Sequence, residues 1–89
     1  IMAVDGDDAV ALMNDSRYGL TACIFTQDEA AALALGERLQ AGTVFMNRCG
    51  HIDPALAWSG VKHSGRGAAL SPIAYEQLAR PKSFCFELT

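Results

Sequence analysis

The sequence predicts an α/β fold organised around one parallel strand, helix, strand unit. Two observations lead there. Two short apolar runs, Leu20–Thr26 and Thr43–Asn47, bracket a stretch whose apolar residues recur at helical spacing. The connection between the runs is long enough for a crossover helix, and a crossover in one sheet makes its strands parallel and right-handed.

The elements follow in chain order. Asp5, Asp7 and Asp8 precede Ala9, Val10, Leu12 and Met13, the pattern of a short helix with acids at the positive end of its dipole. Asn14, Asp15 and Ser16 compete for their own backbone and stop it. Gly19 then breaks the chain into Leu20–Thr26, an apolar run with β-branched and aromatic members, expected to be a strand buried on both faces. From Asp28 to Ala41, Ala31, Leu35 and Leu39 fall on one face with Ala30, Leu33 and Ala34 beside them, a helix. Thr26 or Asp28 caps its start and Gly42 takes the left-handed C-cap place. Thr43–Asn47 is the second strand. Arg48–Gly67, with Pro54, reads as an irregular loop, long enough that function is expected in it. Ala68–Ala79 is expected to be a helix with Ser71 at the N-cap, Pro72 at the first helical position, and Ile73 and Leu78 on its apolar side. After Pro81, Lys82–Leu88 alternates as a final strand without a nearby hairpin partner, so it is expected to pair elsewhere.

The chain has 89 residues, 51% hydrophobic and 19% charged, which excludes intrinsic disorder as a description. A compact fold of this mass exposes roughly 5,000 Å² of the roughly 14,000 Å² its unfolded chain presents, a thin margin for a domain standing alone. Seven basic and ten acidic residues give a net charge of −3, with no basic run to neutralise phosphates, so no nucleic-acid partner is expected. No apolar run approaches the about 20 residues that span a bilayer, so no membrane partner is expected. Cys23, Cys49 and Cys85 form no CxxC pattern, which favours a reducing compartment, the cytoplasm or an organelle matrix. Residue 1 is Ile, expected of a processed or engineered end or of a chain cut from something longer.

The glycine-rich, basic segment Ser59–Gly67 invites a phosphate-cradle reading. It lacks the Walker A order, since Gly65 is followed by Arg66 and Gly67, and it does not open a helix after a strand with dinucleotide-turn spacing. A tight structural loop is the better description. Ser59 and Lys62 fit SxxK, but Gly60 argues against the helix that this pairing requires. Cys49 and His51 have no third group at a supporting spacing for thiolate or metal chemistry, and His63 reads as a solvated loop histidine. Asp5–Asp8 resembles a calcium loop only superficially. Trp58, the single tryptophan, lies in the irregular loop and either plugs a core or lines a pocket.

Taken together, Met13–Leu20 (MNDSRYGL), Phe25–Thr26, Ala41–Asn47 (AGTVFMN) and Ser59–Gly67 (SGVKHSGRG) resemble, in order and spacing, the C-terminal segment of NAD(P)-dependent aldehyde dehydrogenases. The resemblance runs from about Asp8 to Phe86. It implies that residues 1–80 are an incomplete C-terminal part of the catalytic domain, and that the βαβ unit belongs to the parallel sheet of that domain. It implies also that residues 81–89 are a C-terminal oligomerisation strand. By match to the family's PFGG motif, here Ala57–Gly60, Trp58 takes the place of the aromatic, and Ile52 falls at a pocket-facing position. Both are implied to line the aldehyde tunnel. The sequence departs from the family's GRELG, which is here Gly67–Ser71 (GAALS), so the start of the following helix is expected to be rearranged.

In the family, a cysteine thiolate attacks the aldehyde, an Asn side chain and a backbone amide stabilise the oxyanion, hydride passes to NAD or NADP, and a Glu-activated water hydrolyses the thioester. The motifs that carry these steps lie upstream of this segment in the family. No catalytic, cofactor-binding or metal-binding residue is therefore assigned here. The implied partners are the remainder of the same subunit, an aldehyde, and further copies in a dimer or tetramer through the C-terminal strand. The alternative reading is a free-standing, self-associating interaction module without catalysis, motivated by the thin core.

Overall fold

In a computed structural model that describes residues 1–87, the chain is mixed α/β. Helix α1 (Gly6–Asn14) starts at Asp5 with Asp7 and Asp8 in its first turn, as the acidic pattern predicts. It stops at Asn14, and just beyond it the Ser16 hydroxyl accepts from the Tyr18 N–H at 3.1 Å, the local competition expected there. The Asn14 amide reaches across the fold, donating to the Arg38 carbonyl at 2.9 Å and accepting from the Gln40 N–H at 2.8 Å.

Strand β1 (Tyr18–Gly19) and strand β2 (Thr21–Ile24) follow, so Gly19 closes a short strand of its own instead of breaking into a long one. Helix α2 (Glu29–Arg38) begins at Asp28, whose carboxylate accepts from the Ala31 N–H at 3.0 Å. It is shorter than the apolar period suggests, because Leu39 leaves the helix in extended conformation. Gly42 is not its C-cap. A β-carbon at Gly42 would meet the Ser59 carbonyl oxygen, so the missing side chain permits a close crossing of backbones. Strand β3 (Thr43–Met46) pairs parallel with β2, Thr21 opposite Thr43 through Ile24 opposite Met46. This is the βαβ unit read from the sequence.

The stretch expected to be wholly irregular contains strands β4 (Trp58–Ser59) and β5 (Val61–Lys62). The latter pairs antiparallel with β1, and β4 pairs antiparallel with β6 (Ala68–Ala69). Ala68 and Ala69 therefore belong to a strand and not to the last helix. Helix α3 (Ile73–Leu78) is shorter than expected, with Pro72 at the N-cap and Ser71 at φ 53°, one place removed from the sequence-based capping. Residues 79–87 carry neither helix nor strand within this chain, and Leu88 of the expected final strand lies outside the described residues.

The parallel pair is not buried on both faces. Val10 and Ala32 are the only buried apolar side chains among the described residues, while Phe25 is 74% and Leu78 86% exposed. The accessible surface is 7500 Å², against roughly 5,000 Å² for a compact fold of this mass. Surface that the sequence built for packing has nothing to pack on among the described residues.

Candidate functional site

Strands β2 and β3 end side by side, and one residue ties their ends together. Asn47, at φ 57°, accepts from the Thr26 N–H at 2.9 Å and donates to the Thr26 carbonyl at 2.7 Å. Asn tolerates the left-handed conformation and its amide supplies both a donor and an acceptor, so the exit from β3 is fixed in direction. The Cys23 thiol donates to the Arg48 carbonyl at 2.7 Å, which anchors the next residue as well. The 48–58 loop thus leaves from a rigid base at the carboxyl ends of parallel strands, where ligands of open α/β sheets bind.

That loop folds back over one face of β3. It encloses a cleft of about 240 Å³ lined by Thr43 and Phe45 from the strand, and by Arg48, His51, Asp53, Leu56, Ala57 and Trp58 from the loop. The half-buried Trp58 therefore lines a pocket, one of its two readings. Ile52 does not line this cleft and is 57% exposed. Asp53 shapes the turn, its carboxylate accepting from the Ala55 N–H at 2.9 Å. Thr43 and Phe45 escaped the sequence reading, although strand alternation places them on one face. Arg48 and Asp53 escaped it because neither belongs to a motif.

The Ser59–Gly67 segment is occupied with its own fold. Lys62 Nζ donates to the Asn14 and Ser16 carbonyls at 2.8 and 2.9 Å, at the carbonyl end of α1. The Ser64 hydroxyl accepts from the Gly19 N–H at 2.8 Å, and the His63 N–H donates to the Arg17 carbonyl. Ser59 Oγ donates to the Gly67 carbonyl at 2.9 Å, so Ser59 and Lys62 serve different partners. His63 meets the Tyr18 ring edge-on at 6.4 Å. These contacts describe a structural knot. Cys49 is exposed, and among the described residues no cluster of three His, Cys, Asp or Glu side chains is placed to hold a metal ion.

Fold and site together define a segment of a parallel α/β protein with a cleft at its strand ends. The model of the aldehyde dehydrogenase family matches residues 1–84, and the chain belongs to that family. It is 46% identical over 70 residues to the NAD(P)+ succinate semialdehyde dehydrogenase Sad of Escherichia coli, a match over 79% of this chain and 15% of that protein. Among solved structures, an indole-3-acetaldehyde dehydrogenase of P. syringae in complex with NAD+ and IAA superposes with a TM-score of 0.83 and 29% identity, covering 97% of this chain and 17% of the other. Succinic semialdehyde dehydrogenase of Streptococcus pyogenes in complex with NADP+ gives 0.79 and 33%, covering 82% and 16%. The chain spans about a sixth of the length of these relatives.

Proposed function

We propose that this chain is the C-terminal part of an NAD(P)-dependent aldehyde dehydrogenase subunit and supplies tunnel wall and subunit interface, while the chemistry is carried by residues outside it. The complete enzyme oxidises an aldehyde to a carboxylic acid through a thiohemiacetal and a thioester on a cysteine beyond this segment. The observation that carries this reading is the cleft under the 48–58 loop, with Trp58 in its wall and its base pinned at the carboxyl ends of β2 and β3. Ile52, on the same loop, contributes wall that the rest of the subunit completes.

The residues present do not fit a dinucleotide. The lysine and two of the backbone N–H groups of the glycine-rich segment are bonded to the chain's own carbonyls, so no step through the cofactor is assigned here. Residues 1–80 act as the catalytic-domain part and residues 81–89 as the oligomerisation segment of a dimer or tetramer. The exposed Phe84 and Phe86, stacked at 6.0 Å, favour such a contact. Three free cysteines accord with work in a reducing compartment, the cytoplasm or an organelle matrix.

Steady-state kinetics of the natural gene product that carries this segment test the proposal. Trp58→Ala is expected to raise KM for the aldehyde by about 3- to 10-fold while leaving KM for NAD(P) unchanged. The 89-residue chain alone is expected to show no turnover. A cysteine-dependent turnover by the isolated chain, or an unchanged aldehyde KM in the variant, would overturn it.

A further inference from the structure

We propose that Cys23 and Cys49 form a redox pair, which an oxidant of the hydrogen peroxide class joins in a disulfide that resets the base of the 48–58 loop and weakens aldehyde binding; the effect on binding rests on the tunnel-wall reading above. Neither cysteine is in a disulfide in the structure. Cys23 lies opposite Phe45 in the parallel pair, and side chains at one register position share a face of the sheet. Phe45 lines the cleft, so Cys23 stands on the face that the loop crosses. Its thiol donates to the Arg48 carbonyl at 2.7 Å, and the planar peptide puts the Cys49 Cα roughly 3 Å from that same oxygen. Cys23 Sγ and Cys49 Cα therefore lie within about 6 Å of each other, a span that disulfide geometry closes by a turn of the Cys49 side chain and a small shift of its backbone.

The approach of the two residues is built into the strand ends. Asn47, clamped to Thr26 through both atoms of its amide, turns the chain at φ 57° and brings the Arg48 carbonyl back to Cys23. Gly50 follows at φ 68°, with open space around it among the described residues, so a movement at Cys49 is absorbed there and is not passed along the loop. In the reaction one thiolate attacks a peroxide oxygen, the O–O bond breaks, a sulfenic acid forms, and the departing hydroxide takes up the proton that thiol had lost. The other thiol attacks the sulfenic sulfur, the S–O bond breaks, and water leaves as the S–S bond is made. Two thiols are oxidised, one peroxide is reduced, and the products are a disulfide and water. Cys23 then has no proton to donate, so the Arg48 carbonyl loses its anchor and the wall that begins there shifts. Disulfides of reducing compartments are mostly transient and serve catalysis or redox sensing, which suits a pair of this kind.

The test treats the full gene product with hydrogen peroxide, removes the excess with catalase, and maps disulfides by mass spectrometry of unreduced peptides alongside aldehyde kinetics. A peptide pair linked through Cys23 and Cys49 is expected, with KM for the aldehyde raised by about 3- to 10-fold, KM for NAD(P) unchanged, and the original KM restored by dithiothreitol. Before treatment Cys49→Ser is expected to match the wild type, and after it neither Cys49→Ser nor Cys23→Ser is expected to form the link or to shift KM. Oxidation of the cysteine that performs the reaction lowers kcat in all three proteins alike, which separates it from this effect. Absence of the linked peptide, bonding of either cysteine to a third thiol instead, or a link with unchanged aldehyde KM overturns the proposal. The tunnel-wall reading fails separately, on an unchanged aldehyde KM in untreated Trp58→Ala, and the linked peptide still reports whether the bond forms.

Discussion

Asn47 connects the ends of both parallel strands through a single side chain, and its backbone sits where most residues are strained. Two effects are separable there. Asn47→Ala loses both bonds to Thr26 and places an unsuited residue at positive φ, whereas Asn47→Gly loses the bonds but keeps the backbone relaxed. In denaturant unfolding of the full gene product, Ala is expected to destabilise by about 2–3 kcal/mol and Gly by roughly 1–2 kcal/mol. Equal stability of all three proteins would mean that the clamp contributes nothing. The motif AGTVFMN marks Asn47 as part of a pattern, but its bond partner twenty-one positions away is a product of strand pairing, which no local spacing reveals. Gly42 is similar: its punctuation value is legible, its contact with the Ser59 carbonyl is not.

Elements whose cause lies in neighbouring residues fall where those residues place them. Helix α2 starts at Asp28, one of the two caps the sequence offers, and β2 and β3 pair in parallel around it, as period and length predict. The two-residue strands β1, β4, β5 and β6 were missed because such short pairs carry no periodicity; only their partners define them. Lys62 shows what that pairing does. It sits at φ 54° in β5, and its ammonium closes the carbonyl end of α1 through two bonds. Lys62→Met is expected to destabilise the gene product by about 1–2 kcal/mol and to leave KM for NAD(P) unchanged. A large loss of cofactor affinity at unchanged stability would return this loop to the phosphate-binding class.

For the whole molecule, the radius of gyration is 18.1 Å and the longest dimension 71 Å, where a compact domain of this length has a radius near 12 Å. The exposed faces of the sheet and of α3 are apolar surface without a partner among the described residues. The isolated chain is therefore expected to melt without a cooperative transition, to bind a hydrophobic dye and to associate as its concentration rises. Calorimetry and sedimentation at several concentrations check this. A sharp melt of a monomer would show that the small core suffices.

The α/β class, the parallel unit and the family are legible in the residue order, because these rest on local periodicity and on the order of linked motifs, whereas the choice of Asp28 over Thr26 as the cap of α2 came with the fold. That Trp58 lines a cleft, that Ile52 does not, and that Arg48, His51 and Asp53 meet there came only with the folded arrangement. The same folding commits Ser59–Gly67 to donating to the Asn14, Ser16 and Arg17 carbonyls and to accepting from the Gly19 N–H. The reason is physical. A side chain's neighbours across a fold are set by strand register and by close backbone crossings, and these emerge only when distant segments are brought together.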